Sequence, residues 1–249
     1  MQTGKITIIG YGAMAQAIGE GLKEKYQIEI VGRNPTKGEE VAKKVKGNFY
    51  PLEGFDITGK VVILAVKPYA LREVAQKLKG TGDILISILA GKKLEDLKVI
   101  PACHYLRAMP NIGAFYNSSF TALAGDKRAM EVGVALFSQI GEVIELEGDN
   151  EIDIATSITG SGPAYLGILQ EAIEDAGVYL GLKREIASKL ARGLFASFGR
   201  INEKGGIIKE KVMSPNGTTA EGVFKLQKEG VPGKIMEAII DGYKKAKRI

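Results

Sequence analysis

Several residue types are scarce in this chain, and each scarcity excludes a class of protein. Its 249 residues include one cysteine, one histidine and no tryptophan. A single cysteine excludes an internal disulfide framework and a zinc site built from cysteines, and the sequence predicts no metal. The longest apolar runs, such as VVILAV at residues 61–66, are far too short to span a bilayer. No charged segment followed by an apolar core opens the chain, so we expect a cytoplasmic protein without a membrane partner.

A strong charge of either sign is also absent. The net charge is +5, which is mild for a protein that binds nucleic acid. The one tight basic run, KKAKR at residues 244–248, ends a predicted helix, where cations interact favourably with the helix dipole. The composition is that of an ordinary globular protein. We therefore expect a small-molecule substrate and no nucleic-acid partner.

Hydrophobic runs alternate with helical spacing over the first 148 residues. Strand-length runs occur at residues 5–10, 28–32, 61–66, 84–89, 104–109 and 142–147. Nearly continuous Val, Ile and Leu strands separated by helices indicate a mostly parallel sheet that is covered on both faces. The sequence therefore predicts an α/β fold with a doubly wound sheet.

The strand pattern stops after Gly148. The remaining segments have apolar residues at helical spacing, and glycine or proline separates them. This change predicts two domains, residues 1–148 and residues 149–249, of which the second is all-helical. Its helices carry more apolar side chains than a small domain can bury, so we expect part of that surface to be covered by a second subunit.

The first strand runs into the segment GYGAMA, residues 10–15, which fits the pattern G-x-G-x-x-G/A. Gly10 permits the tight turn, Gly12 lets a pyrophosphate approach the backbone, and Ala15 lets the helix pack closely on the strand. Ala13 and Met14 open a helix whose N-terminus attracts the pyrophosphate. Because the motif stands between a strand and a helix, it predicts a Rossmann-type dinucleotide site; the alternative is a structural glycine turn.

The end of the second strand indicates which dinucleotide binds. NAD sites usually carry Asp or Glu there to bind the ribose 2′-hydroxyl, whereas this chain has Arg33 and Asn34. A guanidinium can bind a 2′-phosphate through charge-assisted hydrogen bonds. We therefore predict NADPH as the preferred cofactor, with NADH as the second choice. The alternative is that Arg33 is a solvated loop residue.

Three further strand ends are expected at the same edge of the sheet, because ligands of open α/β sheets bind beyond the carboxyl ends of the strands. They carry the segments AVKP, AG and RAMPN, the last at residues 107–111. The predicted cofactor contacts in the first two segments are Ala65, Val66, Lys67, Pro68, Ala90 and Gly91.

Two segments of the helical half are typical of helix starts that hold anions. TGSGPAY at residues 159–165 and SPNGTT at residues 214–219 both place glycine and proline just before a helical pattern. Backbone N–H groups at such a point bind small anions. Both segments are also consistent with simple helix caps.

At this point the chain resembles the pyrroline-5-carboxylate reductases, the last enzymes of proline biosynthesis. The resemblance covers essentially the whole length and rests on GYGAMA, AVKP, RAMPN, TGSGPAY and, most specifically, VMSPNGTTAEGV at residues 212–223. It implies a Rossmann domain followed by a helical domain that forms a homodimer, which in this family often assembles into larger rings. It also implies NAD(P)H-dependent hydride transfer to the cyclic imine 1-pyrroline-5-carboxylate, with L-proline as the product.

The same resemblance, carried over by position, implies roles for single residues. Ser214, Gly217 and Thr218 would bind the substrate carboxylate. The Thr219 hydroxyl would lie beside the ring nitrogen, where it polarises the imine or relays a proton; the alternative is a purely capping role. The residues that the resemblance places near the nicotinamide are Met109, Asn111, Ser161, Pro163 and Glu203.

Three other functions compete with this one. Enzymes of the β-hydroxyacid dehydrogenase type need a lysine base with a nearby asparagine on the first long helix of the second domain, and PAYLGILQEAIEDAGVYLG contains neither. A reductase for a six-membered cyclic imine differs by one methylene, which is worth only about 1–3 kcal/mol of discrimination. A non-catalytic NADPH sensor is the third, and the intact SPNGTT segment favours a working substrate site instead.

Overall fold

The computed structural model describes residues 4–248. By the contacts within it, the chain divides into two compact units, Met1–Ser161 with Gly242–Ile249, and Gly162–Asp241. The division between these units falls after Ser161, and the predicted domain boundary at residue 148 stays a prediction. No helix among the described residues is long and apolar enough to cross a membrane.

The first unit is built on one eight-stranded sheet in the order β3-β2-β1-β4-β5-β6-β7-β8. Among residues 4–248 the paired strands run parallel, except for the antiparallel pair β6 and β7. This arrangement confirms the predicted mostly parallel α/β sheet. The strands are β1 (Lys5–Ile9), β2 (Gln27–Gly32), β3 (Asn48–Pro51), β4 (Val61–Leu64), β5 (Gly82–Ser87), β6 (Ala102–Met109), β7 (Ser119–Gly125) and β8 (Gly141–Glu145).

Helices connect the strands of the first unit and continue through the second. Those of the first unit are α1 (Ala13–Leu22), α2 (Pro35–Lys44), α3 (Leu71–Lys77), α4 (Leu94–Leu97), α5 (Lys127–Phe137) and α6 (Asp149–Ala155), with 3-10 turns at Pro68–Ala70 and Ile112–Tyr116 and a π-helix at Thr156–Gly160. The later helices are α7 (Gly162–Tyr179), α8 (Arg184–Phe198), α9 (Gly205–Val212), α10 (Thr218–Lys228) and α11 (Val231–Ala246).

Both faces of the sheet are buried, as the continuous apolar strands predict. Ile8 belongs to the hydrophobic cluster on one face, and its neighbour Ile9 belongs to the cluster on the other. Successive side chains of a strand point to opposite faces, so a strand covered on both sides places apolar residues on both faces. Each fully buried side chain of this size contributes about 1.5–3 kcal/mol of transfer free energy.

The structure also contains elements that the sequence patterns do not predict. Strand β3 is a four-residue edge strand that ends in Pro51, and β7 (SFTALAG) contains no valine or isoleucine. Helix α9 begins with two glycines, which are poor helix formers. All three were missed because packing, rather than intrinsic propensity, places them in regular structure.

In the second unit α7 and α8 pack closely, with small residues between them. A Cβ on Gly177 would lie 3.1 Å from the Cβ of Ala187, and Ala187 and Ala191 are buried. An adjacent face of α8 carries an exposed apolar ridge with a spacing of four residues. This α8 ridge consists of Ile186, Leu190, Leu194 and Phe198, each about half-exposed.

Candidate functional site

A cavity of about 490 Å³ lies at the carboxyl ends of β1, β2, β4 and β5, within the first unit. This is the edge of the sheet where ligands of open α/β folds bind. The predicted cofactor residues that line it are Gly10, Gly12, Ala13, Met14, Arg33, Ala65, Val66, Lys67, Pro68 and Ala90. Gly91, in a turn with φ of +72°, directly follows the last of these.

The turn between β1 and α1 shows why glycine occupies two of its positions. Gly10 has φ of +129°, and a Cβ there would collide with the backbone carbonyl of Ala65. A Cβ on Gly12 would meet no atom within 4 Å, so the backbone is open on that side. Gly12 is the N-cap of α1 and provides no side-chain cap. The first N–H groups of α1 therefore face a position that an anion such as a pyrophosphate can approach.

The end of β2 carries the two residues that were predicted to select the cofactor. Arg33 lines the cavity. Asn34 does not line it; its Oδ1 accepts a hydrogen bond of 3.0 Å from the Lys37 backbone and caps α2. Asn34 therefore already has a structural task as a helix cap.

Arg33 is paired with a carboxylate that the sequence reasoning missed. Its Nη1 donates to Oε1 and Oε2 of Glu73 on α3, at 3.0 and 3.1 Å. The hydrogen bond from Arg33 holds the pKa of Glu73 below its usual value, and the same bond raises the pKa of Arg33. Glu73 also lines the cavity, together with Tyr11 and Tyr69, of which Tyr69 is 83% exposed. In the sequence, this pairing was indicated only by the position of Glu73 in the first turn of the helix after AVKP.

The end of β6 leads to a second group of predicted residues, which the structure connects to the π-helix. Met109 is buried. Both polar atoms of the Asn111 amide are hydrogen-bonded, because Nδ2 donates to the carbonyl of Thr159 at 3.1 Å and Oδ1 accepts from Gly113 N at 2.9 Å. Ser161 follows the π-helix directly, and its N–H donates to the carbonyl of Thr156. Met109, Asn111 and Ser161 are not among the residues that line the cavity.

A buried ion-pair cluster anchors the helix that precedes this π-helix. Arg107 on β6 is 1% exposed, and its Nη1 and Nη2 each lie 2.8 Å from a carboxylate oxygen, of Asp149 and Asp153 respectively. The carbonyl of Asp149 accepts a further bond from Nη1 at 3.2 Å. A charged residue within a buried strand needs such partners. The sequence patterns did not predict this cluster, although an arginine within a strand-length run indicates a need for buried partners.

The π-helix itself contains hydroxyl side chains that bond to the backbone. Thr156 and Thr159 each donate to the carbonyl four residues before, at 2.7 and 3.0 Å, and Ser157 donates to the carbonyl of Ile154 at 2.8 Å. Single-turn π-helices are frequent at functional sites. Arg107 and Asn111 thus tie both ends of residues 149–160 to the end of β6.

The predicted substrate loop belongs to the second unit. Gly217 N donates to the carbonyl of Ser214 at 3.0 Å, and a Cβ on Gly217 would collide with the Ser214 hydroxyl. Asn216 adopts φ of +59°, a left-handed conformation that asparagine tolerates better than most residues. Gly217 is the N-cap of α10 without a side-chain cap, so Thr218 and Thr219 open a helix whose first N–H groups are available to an anion.

The two remaining predicted residues also lie in the second unit. Pro163 is in the first turn of α7, where its missing N–H costs nothing. Glu203 forms an ion pair of 2.6 Å with Lys211 on α9. The roles of all these residues stay predictions.

Comparison with known proteins places both parts of the chain. Residues 149–249 match the family model described as pyrroline-5-carboxylate reductase dimerisation, and residues 5–91 match that described as NADP oxidoreductase coenzyme F420-dependent. The fold of the first unit and the match over residues 5–91 are both typical of an oxidoreductase that uses a nicotinamide dinucleotide.

Relatives align with the chain over nearly its whole length. The pyrroline-5-carboxylate reductase of Synechocystis is 36% identical over 98% of each chain. That of Helicobacter pylori strain J99 is 32% identical over 96% of this chain and 98% of the relative. The crystal structure of the 1-pyrroline-5-carboxylate reductase from Streptococcus pyogenes superposes with a TM-score of 0.85, at 27% identity and 98% coverage of both chains. The chain belongs to the pyrroline-5-carboxylate reductase family.

Proposed function

We propose that the protein reduces 1-pyrroline-5-carboxylate to L-proline, with NADPH preferred over NADH. The observation that carries this proposal is the match over the full length to pyrroline-5-carboxylate reductases at above 30% identity. The geometry of the predicted cofactor segment GYGAMA and of the predicted substrate segment SPNGTT agrees with this proposal. Each segment leads into a helix, α1 or α10, whose N-cap residue is a glycine and therefore provides no side-chain hydrogen bond to the first N–H groups.

The residues of the cavity fit a dinucleotide. Gly10 and Gly12 keep the turn before α1 free of side chains, and Ala13 and Met14 offer backbone N–H groups for the pyrophosphate. Arg33 would bind the 2′-phosphate of NADPH. The bound dinucleotide would supply the hydride. We assign the nicotinamide contacts to Met109, Asn111, Ser161, Pro163 and Glu203 on the family resemblance alone.

The loop before α10 has the groups that a small cyclic imino acid requires. Its carboxylate would accept hydrogen bonds from the Ser214 hydroxyl and from the backbone at Gly217 and Thr218. The Thr219 hydroxyl would donate to the ring nitrogen. In the net reaction the C=N bond becomes a single bond, because carbon 5 gains a hydride and the nitrogen gains a proton. A protonated imine is already electrophilic, so orientation of the two reactants is the main task of the protein.

The assembly proposed for the chain is a homodimer that forms larger rings, in the cytoplasm. The α8 ridge supports an interface, since four half-exposed apolar side chains in one row are unusual on a surface that stays in water. Residues 149–249 would form the dimerisation domain, and residues 1–148 the dinucleotide-binding domain.

The oxidation of NADPH in the presence of 1-pyrroline-5-carboxylate, followed by absorbance, tests the proposed reaction. Parallel assays with NADH and with the six-membered cyclic imine separate the cofactors and the ring sizes. We expect the highest kcat/KM for NADPH with the five-membered ring. Binding of NADPH without turnover of either imine would refute the proposed reaction and support a sensor.

A further inference from the structure

The cation that was predicted to recognise the 2′-phosphate is already bound to a carboxylate. Arg33 and Glu73 both line the cavity, and one guanidinium nitrogen contacts both oxygens of Glu73 at 3.0 and 3.1 Å. The side chains are 56% and 41% exposed, so the pair lies at the mouth of the cavity. It arises between α3 and the end of β2, which are 40 residues apart in the chain.

An acid at this position has a known physical consequence for dinucleotide recognition. In NAD sites an Asp or Glu at the end of the second strand accepts a hydrogen bond from the ribose 2′-hydroxyl. Here the second strand ends at Gly32, Arg33 follows it, and α3 supplies the acid that contacts Arg33. The cavity mouth therefore carries both an acceptor for a 2′-hydroxyl and a donor for a 2′-phosphate.

The two nucleotides require different behaviour from this pair. A 2′-phosphate that binds Arg33 lies near the negative charge of Glu73, whether or not it separates the pair. Lys77 Nζ is 3.4 Å from Glu73 Oε1, so the carboxylate keeps a cationic partner within its own helix if the pair opens. A 2′-hydroxyl can donate to Glu73 while the pair stays intact.

We propose that Glu73 is a specificity-determining residue that weakens the preference for a 2′-phosphate and allows the cavity to bind nucleotides with a free 2′-hydroxyl. This inference rests on the proposed dinucleotide site, and it adds a residue that acts against Arg33. The protein would accordingly use both NADPH and NADH, with a preference that is smaller than Arg33 alone would produce.

The test is the variant Glu73→Gln, compared with Glu53→Gln as the matched control. Glu53 is 79% exposed, lies 3.7 Å from Lys77 Nζ and does not line the cavity. Both variants therefore remove one negative charge next to the same lysine. The probes are adenosine 2′,5′-bisphosphate and adenosine 5′-monophosphate, whose dissociation constants are measured by calorimetry; KM for NADPH and NADH is measured as well.

In Glu73→Gln we expect the affinity for the bisphosphate to rise by roughly fivefold to tenfold, as when one unfavourable charge is removed from a half-exposed site. The affinity for the monophosphate should fall or stay constant, so the ratio of the two affinities should rise. Glu53→Gln should change neither affinity by more than about twofold. An unchanged ratio in Glu73→Gln, or weaker binding of the bisphosphate, would overturn the inference. Wild-type protein that binds neither probe would overturn it as well.

The calorimetric readout keeps this inference apart from the proposed reaction. If the wild type binds both probes and Glu73→Gln shifts their ratio, while no imine is reduced, the role of Glu73 stands and the proposed reaction fails. If imine reduction proceeds and the ratio does not change, the reaction stands and the role of Glu73 fails.

Discussion

Arg33 and Thr219 are the two single residues on which the proposed chemistry depends most. Arg33 lines the cavity at the end of β2, and Thr219 lies in the first turn of α10. In the proposed function Arg33 binds only the cofactor, and Thr219 contacts only the imine. Substitutions at the two positions should therefore affect different kinetic constants.

Arg33→Ala should raise KM for NADPH by about tenfold, because charge-assisted hydrogen bonds to the 2′-phosphate are lost. KM for NADH should change by less than about threefold, since NADH has no phosphate there. The control is Arg72→Ala, which removes a neighbouring exposed cation that does not line the cavity. Equal effects of Arg33→Ala on both cofactors would contradict the assignment.

Thr219→Ala should lower kcat/KM for the imine by about tenfold or more, the effect of losing one positioned proton donor. KM for NADPH should change little. Thr219→Ser retains the hydroxyl and should recover most of the activity. If Thr219→Ala changes only the melting temperature, the residue is a helix cap and has no part in catalysis.

At the scale of secondary structure, two charged clusters hold elements together within the first unit. One joins Arg107 on β6 to Asp149 and Asp153 on α6. The other joins Glu29 on β2 to Thr7 on β1 and to Lys60, which precedes β4. The central residue of each cluster, Arg107 or Glu29, is buried, so the clusters respond differently from surface ion pairs.

Arg107→Met should lower the free energy of unfolding by about 3–5 kcal/mol, because it leaves the buried carboxylate of Asp153 without its cation. Arg184→Met is the matched control, since Arg184 and its partner Asp175 are both exposed. That variant should lose less than about 1 kcal/mol. Urea denaturation measures both values, and equal losses would show that the buried cluster has no special role.

The Glu29 cluster predicts a dependence of stability on pH. Burial alone would raise the pKa of Glu29, but hydrogen bonds from Lys60 and Thr7 outweigh it and lower the pKa below the ordinary value of 4.5. A group with a depressed pKa stabilises the fold above its unfolded-state pKa, and this stabilisation is lost as the pH falls through the folded-state pKa. The free energy of unfolding should therefore decrease on acidification below about pH 4.5.

Glu29→Gln should reduce that decrease, because the variant has no carboxylate to protonate at this position. Glu142→Gln serves as the control for the loss of an exposed carboxylate from a strand. Urea denaturation over a series of acidic pH values measures the slopes. A slope for Glu29→Gln that equals that of the wild type would contradict this account.

At the scale of the whole molecule, the α8 ridge predicts how copies of the chain associate. Leu190→Glu places a charge in the centre of this ridge and should shift the protein from a dimer to a monomer in sedimentation at micromolar concentration, because a buried unpaired charge is costly. Lys189→Glu changes the charge of an adjacent exposed position and should leave the dimer intact. A wild-type protein that sediments as a monomer would refute the proposed assembly.

Much of the fold follows from patterns that are local in the chain. Each of the six predicted strands appears in the sheet, although their ends differ by a few residues. Strand β7 was missed because its small and polar residues become buried only between β6 and β8. The antiparallel direction of that strand likewise depends on its neighbours and leaves no local signature.

The sequence by itself determined the α/β class, the dinucleotide-type turn and the helix start after SPNG, because periodicity and the backbone freedom of glycine act over a few neighbouring residues. Only the tertiary structure decided that Glu73 meets Arg33 and that Asp149 and Asp153 meet Arg107. These partners lie 40 or more residues apart, and no local pattern states which charges will meet. Folding brings them together, and their mutual attraction then sets what each can bind.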